Sequence, residues 1–393
     1  MPPESPPSEA GAPPPEPYLS GLRVLDLSRV LAGPLAAQVL GDLGAEVLKV
    51  EPPSGDDTRA WGPHFQGGMS AYFQSCNRNK ASLVLDLATA AGRQRLAELV
   101  GLADVLLHNC LPATARRLGV DGPTLASAHP RLVALGIVGY GGTRRDEPGY
   151  DLALQAEAGW IGMTGPPGPP DAGFKVGVAV VDVLTGLIAA NGIQAALIRR
   201  ARTGAGAVIS LSLQRTALFS LVNVATNHLV SGEPTRRWGN QHPNLVPYQL
   251  FAAADRAIVI GVGNDAQFAR LCDLLGIADP ELRALGHAGR LARRADVVAA
   301  VGAAVARRAA GELVAALRAK GIPAAPLLMP HEALAAVAIT DPGAVVAIAH
   351  PELGEVRLPA PPLEGDGVRS DHRPPPLPGE GGEEMAARWL ARP

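Results

Sequence analysis

Residues 22–50 constrain the fold most. A short apolar run, LRVLDL, passes through the turn SRVLAG into a helical segment, PLAAQVLGDLGA, and then into a second apolar run, EVLKV. Pro34 opens the helical segment, a position where the missing N–H costs nothing. Strand, helix and strand at this spacing form a βαβ unit. Its right-handed crossover makes the strands parallel and places ligands beyond their C-terminal ends.

The pattern recurs downstream. SLVLDL (82–87) reads as a strand and AAGRQRLAELVGLA as an amphipathic helix. DVLL (104–107) is a strand ending at His108-Asn109-Cys110, and RLVALGIV (131–138) is another, ahead of the flexible loop 139–142. The fold class is α/β with a parallel sheet. Residues 165–173, GPPGPPDAG, exclude regular structure. An apolar run, VGVAVV, then stops at Asp182, and a helix from Val183 ends on basic residues and Gly204. Past about residue 225 a polar, aromatic loop precedes the strand AIVIGVG and further helices. These boundaries predict a disordered Pro/Glu-rich tail over 1–19, a large domain from 20–225 and 326–393, and a smaller α/β domain over 226–325.

Composition removes several function classes. Charged residues make up 18% of the 393, and the formal net charge is -2. No basic excess points to nucleic acid or to an anionic membrane. Cys76, Cys110 and Cys272 are scattered and form no C-x-x-C pair, so neither a disulfide framework nor a metal site is implied. The acidic, arginine-free N-terminus fits no secretory or mitochondrial leader, and the apolar stretches read as broken before they span a bilayer. A cytoplasmic enzyme is the expectation.

Among candidate sites, the first βαβ turn carries only Gly33 and lacks G-x-G-x-x-G, although Glu51 stands where a ribose-binding acid would. A dinucleotide site is disfavoured; a crevice for another nucleotide-bearing ligand remains. Gly139, Gly141 and Gly142 read as a turn before a phosphate cradle, and His108 with Cys110 as core or loop residues before metal ligands. Asp182 by position reads as a helix N-cap. The functional reading stands beside it: a strand-to-helix junction is where parallel-sheet sites form, and the positive helix end would keep the carboxylate ionised as a nucleophile.

Several segments in order carry a resemblance. GLRVLDLSRVLAGPLAAQVLGDLGAEVLKVEPPSGDDTR, NRNKASLVLDL, ADVLLHNCLP with RRLGV, HPRLVALGIVGYG, PGYDLALQAEAG, VGVAVVDVLTGL and RTGAGAVISLSL resemble the class III (formyl-CoA transferase-like) CoA-transferases over about residues 20–375. The resemblance implies a large Rossmann-like, CoA-binding domain built from both chain ends, a small domain between them, and an interlaced homodimer. Coenzyme A would be a co-substrate, with no prosthetic group and no metal. The nucleophile falls on Asp182. CoA contacts fall on Leu31, Ala32, Leu85, Asp86, Asn109, Cys110, Arg117 and Tyr150, and part of a covering loop falls on Gly239 and Asn240. Related 2-methylacyl-CoA racemases place His where this chain has Tyr150, and tyrosine, with a pKa of about 10, is a poor base near neutrality. Transfer is therefore preferred; a racemase-like isomerase and a catalytically weak CoA-binding homologue stay as alternatives. GDDTRAWGPHF and RRWGNQHPNLVPYQLF are similar to the succinyl-CoA:glutarate (succinate–hydroxymethylglutarate) CoA-transferases, implying a succinyl-CoA-type donor and a dicarboxylate acceptor. Arg236, Arg237 or His242 would then pair the distal carboxylate. One segment departs from the family: LPGEGGEE stands where a GEHT-like stretch is usual, which bears on acceptor preference.

Overall fold

The structure, a computed structural model, describes residues 15–169 and 172–391. The chain divides into two compact units. One takes the chain up to Leu154, Gly177–Ser220 and Asp341 onward; the other takes Gln155–Val176 and Leu221–Thr340. The second unit is thus wider than 226–325.

The first unit is built on six parallel strands: β1 (Arg23–Asp26), β2 (Glu46–Glu51), β3 (Lys80–Val84), β4 (Val105–His108), β5 (Val133–Val138) and β6 (Ala207–Ser212). Their order is β3-β2-β1-β4-β5-β6. Val24 of β1 lies between Val47 of β2 and Val105 of β4. The chain leaves β1 first to one side and then to the other, so a crevice opens at the C-terminal ends of β1 and β4. Val24, Leu25, Val47, Leu48 and Val105 to Leu107 are all buried. Covered on both faces, the central strands read as continuous apolar runs rather than alternations.

Helix α1 (Ala32–Asp42) follows β1 and starts two residues before Pro34, which sits in the first turn where its missing N–H is tolerated. Helices α2 (Ala90–Leu102), α3 (Pro112–Leu118) and α4 (Asp151–Glu157) come next. Helix α5 (Val180–Thr203) packs on α1, β5 and β6. Its buried residues Val181, Thr185, Ala189 and Ile193 repeat every fourth position, with Gly186 and Ala190 beside them. By length and composition alone this 24-residue helix is apolar enough to cross a membrane, contrary to the reading that every apolar stretch is broken.

Three local expectations are corrected. The strand expected over 82–87 runs from Lys80 to Val84, because Asp86 turns the chain by accepting from the Ala88 N–H and Thr89 hydroxyl. VGVAVV is not a strand: Val180 and Val181 already belong to α5. Of the expected tail, residues 1–14 lie outside the described residues. Tyr18 and Leu19 are tied down, their N–H groups donating to Gly367 O (2.9 Å) and Leu43 O (2.8 Å).

The C-terminal part of this unit carries the hairpin of Val345–His350 and Gly354–Pro359, and the helix Gly382–Ala391. Met385, Ala386 and Trp389 of that helix are buried with Leu25, Leu48, Leu96 and Leu106. The Trp389 indole donates to Glu46 (2.9 Å). The unusual LPGEGGEE segment lies against β3. The Ser82 N–H donates to Glu380 O (2.9 Å), and a Cβ on Gly382 would come within 2.0 Å of Ser82 O.

The second unit has an antiparallel three-stranded sheet of Tyr248–Ala252, Ala257–Gly261 and Ala324–Pro326. Its core joins Phe251, Ile258, Ile260, Phe268, Leu271, Val301, Leu313 and Leu317.

Candidate active site

The crevice at the switch point is a cavity of about 230 Å³. Leu31, Ala32, Asn109, Tyr150 and Asp182 line it, with Arg29, Val30, Asp57, Leu111, Pro148 and Gly149. Asp182 sits in the first turn of α5, two residues inside the helix, and is half-buried. It is not the N-cap. The N-cap is Ala179, whose side chain caps nothing; the acceptor comes from Asp151, whose Oδ1 takes the N–H groups of Val181 (2.8 Å) and Asp182 (3.3 Å). Burial, and then the charge of Asp151, pushes the Asp182 carboxyl up to about 7. The helix N-terminus, expected to keep it ionised, is outweighed by these two causes.

Glycines set the geometry. Gly186, one turn beyond Asp182, is the contact point of α5 with α1: a Cβ there would stand 2.7 Å from Ala32 O and 3.2 Å from Leu35 Cβ. Asp182 is thereby held close to the start of α1. Gly139 and Gly149 cross in the same way, since a Cβ on Gly139 would stand 2.6 Å from Gly149 Cα. The glycines after β5 thus serve backbone packing that brings Tyr150 and Asp151 to the site. No side chain caps the N-terminus of α1, where Leu31 is the N-cap. Leu31 and Ala32, at this uncapped start, line the cavity, and a helix start of this kind has N–H groups without partners in its own helix.

Asn109 joins the two loops of the crevice. Its side-chain amide accepts the Arg29 N–H (3.0 Å) and donates to Arg29 O (2.8 Å). Arg29 and Asp57 pair at 3.5 Å on the exposed rim. Beneath the loop lies a set of buried charges. Lys49 pairs with Asp56 (2.8 Å), Lys80 with Asp26 (3.0 Å), and Arg59 with Glu51 (2.6 Å). Burial alone would raise the Asp56 carboxyl, but Lys49 outweighs it and holds it below the usual range. Glu51 also accepts from Ser82 Oγ (2.6 Å), so this acid is committed inside the fold and does not face a ribose.

The other predicted residues fall elsewhere in the first unit. Leu85 and Asp86 follow β3, at the same C-terminal edge of the sheet. Cys110 lines a separate cavity of about 540 Å³ with His108 and Arg116. Burial lowers His108 to about 4, and its Nδ1 accepts the Cys110 N–H (3.3 Å), so the ring is neither base nor metal ligand in this arrangement. Arg117 is exposed in the last turn of α3. Gly239 and Asn240 line a cavity of about 750 Å³ inside the second unit, with Arg236 and Trp238. Arg236 stacks on Trp238, Arg237 is buried, and the His242 ring accepts the Asn244 N–H (3.0 Å).

Two residues escaped the sequence reading. Asp151 caps a helix 30 positions away, which no local pattern reveals. Tyr72 is pushed up to about 12, first by burial and then by the charge of Asp182, so its phenol stays protonated. Its ring meets Trp61 edge-on at 5.1 Å. In the sequence it is one of two adjacent aromatics, Tyr72 and Phe73, with no chemical motif around them.

Residues 19–383 match the family described as CoA-transferase family III. The chain belongs to that family. It is 36% identical over 371 residues to a mouse succinyl-CoA:glutarate CoA-transferase, covering 92% of this chain and 84% of the relative. It is 41% identical over 325 residues to a succinate–glutarate CoA-transferase of Agrobacterium fabrum, covering 79% and 80%. A solved CAIB/BAIF family protein from Brucella suis superposes with a TM-score of 0.82 at 35% identity, over 95% of this chain and all of that one. As a family III CoA-transferase, the chain is an enzyme that moves coenzyme A between an acyl-CoA and a carboxylic acid, with CoA as co-substrate.

Proposed function

We propose that this enzyme transfers CoA from succinyl-CoA, or a similar donor, to a dicarboxylate such as glutarate, with Asp182 as the nucleophile. The observation that carries the mechanism is the placing of Asp182 in a cavity with the uncapped start of α1. The dicarboxylate reading is supported by the relatives named for succinate and glutarate. In this reading the acyl-CoA lies along Leu31, Ala32, Leu85, Asp86, Asn109, Cys110, Arg117 and Tyr150. Arg117 is suited to a phosphate, whose charge a guanidinium neutralises while donating two hydrogen bonds.

In the first step an ionised Asp182 oxygen attacks the thioester carbonyl. The oxyanion is met by N–H groups at the start of α1. CoA thiolate leaves, and an aspartyl–acyl mixed anhydride remains. The thiolate then attacks the Asp182 carbonyl carbon, releasing the donor acid and leaving an aspartyl–CoA thioester. The acceptor carboxylate attacks that thioester and expels the thiolate, forming a new anhydride. Thiolate attack on its acyl carbonyl yields the new acyl-CoA and restores the Asp182 carboxylate. Water must be excluded throughout, because each covalent intermediate hydrolyses. Tyr150 in place of a histidine base favours transfer over racemization.

The exposed apolar residues of the first unit, Leu187, Ile198 and Val208 among them, support an interlaced homodimer in which a second copy covers such surface. The three unpaired cysteines fit a reducing compartment, the cytoplasm in our reading. The test is CoA exchange from succinyl-CoA to a panel of dicarboxylates, with hydroxylamine trapping of the aspartyl–CoA ester. Asp182→Ala should lose transfer by about a thousandfold or more. Wild-type transfer in that variant, or no label on the peptide holding Asp182, would overturn the mechanism.

A further inference from the structure

We propose that Asp56 and Lys49 are positioning residues of the transfer reaction, holding the loop between β1 and α1 in a left-handed turn that aims its N–H groups at the site of Asp182. This rests on the reading of that loop as the oxyanion side of the cavity.

Val30 lies in the cavity wall with φ of 72°. A β-branched residue avoids this region, because its Cβ crowds the following carbonyl. Glycine is the residue that adopts it freely. A valine held there needs restraint from outside the loop, and such strain persists only where surrounding contacts over-determine the backbone.

Buried side chains supply that restraint at residues 28 and 30. The Val30 N–H donates to Asp56 Oδ1 (3.4 Å). Asp56 Oδ2 accepts from Lys49 Nζ (2.8 Å), and the same amine donates to Ser28 O (2.8 Å). The side chains of Lys49 and Asp56 are both 0% exposed. Asp56 is itself fixed by Thr58, which donates through its N–H (3.0 Å) and hydroxyl (2.8 Å), while the Asp56 N–H donates to Glu51 (2.9 Å). One buried ion pair therefore grips the loop at its carbonyl 28 and its N–H 30. The next residues are Leu31 and Ala32, the uncapped start of α1. Gly33 completes the turn, since a Cβ there would stand 2.3 Å from Ser28 Cβ.

The mechanism described above does not use either charge directly. Both are sealed from the cavity, so neither touches substrate. Their effect on the reaction passes through the backbone of Val30.

The decisive measurement is glycine rescue. Asp56→Asn places an amide donor toward the Lys49 amine and loosens the turn, so kcat should fall about 100-fold, as expected when reacting groups are displaced by about an ångström. The KM for acyl-CoA should stay within about threefold. With Val30→Gly alone as the reference, Val30→Gly in the Asp56→Asn background should recover at least about tenfold over Asp56→Asn, because glycine adopts the turn unaided. Thermal unfolding of all four proteins separates this from stability, kcat being compared at a temperature where every one of them is folded. If Asp56→Asn fails to fold, Lys49→Met/Asp56→Leu removes both charges together and leaves no uncompensated ion; it should show the same kcat loss and the same rescue. Wild-type kcat in either charge variant, or no recovery on adding Val30→Gly, would overturn the proposal. Transfer that survives Asp182→Ala would instead overturn the reaction mechanism, whatever the outcome at Asp56.

Discussion

Asp182 is held at a pKa of about 7, which makes the enzyme's pH dependence a test of its role. In the proposed mechanism only the carboxylate attacks, so kcat/KM for acyl-CoA should rise with pH through the neutral range and level off above it. The stability sign is the reverse. Burial makes the charged form costly, so the folded protein is fully favoured below the unfolded aspartate pKa, near 3.8, and loses that part of its stability as pH rises through about 7. Asp182→Asn, which cannot ionise, should therefore unfold at a higher temperature than wild type at pH 8. The gain is at most ~4 kcal/mol for a displacement of this size, and it should vanish below pH 4. Calorimetry at the two pH values checks this. An unchanged difference between them would mean that the carboxyl is not perturbed.

At the level of elements, the site depends on how α5 meets α1 and on what closes its N-terminus. Gly186→Ala should force the two helices apart at Ala32 O, where 2.7 Å leaves no room for a methyl group. We expect a stability loss of about 1–3 kcal/mol and a kcat loss of about tenfold or more. Denaturant unfolding and steady-state kinetics measure the two. Asp151→Asn keeps an oxygen for the Val181 N–H but removes the second cause of the Asp182 shift. The acid limb of the pH profile should move to lower pH without reaching the ordinary aspartate value, because burial remains the larger cause. Asp151→Ala should move it likewise and also cost the cap, about 1 kcal/mol. An unmoved profile in both variants would separate Asp151 from the nucleophile. The cap illustrates where local reading stops. Asp before an apolar helical run is a sound N-cap signature, and it pointed to Asp182. The helix takes its capping acceptor from the first residue of α4, 30 residues upstream, instead, and Asp182 lines the cavity.

For the whole molecule, the first unit closes on its own C-terminus. Trp389 is fully buried beneath the central strands, with Met385 and Ala386 beside it. Trp389→Ala should cost about 3–5 kcal/mol, and removal of residues 382–393 should leave a protein that does not fold cooperatively. Circular dichroism melts of both proteins test this; a truncated chain with a wild-type melt would refute it. The LPGEGGEE segment is part of that closure, since Gly382 fits where Ser82 O leaves no space for a Cβ.

The sequence alone determined the parallel sheet, because buried strands between helices must be short, apolar and regularly spaced. It also determined the family, because seven segments in order constrain a chain far more than any single motif. Leu31, Ala32, Asn109, Tyr150 and Asp182 were legible in this way, and the structure gathers these five in one cavity. The tertiary structure decided what no local pattern encodes. Asp151 supplied the capping acceptor, Tyr72 came to feel the charge of Asp182, and burial overrode the helix N-terminus at Asp182. Each is a through-space effect between residues distant along the chain. Solvent exclusion and close backbone approach exist only once the chain has packed.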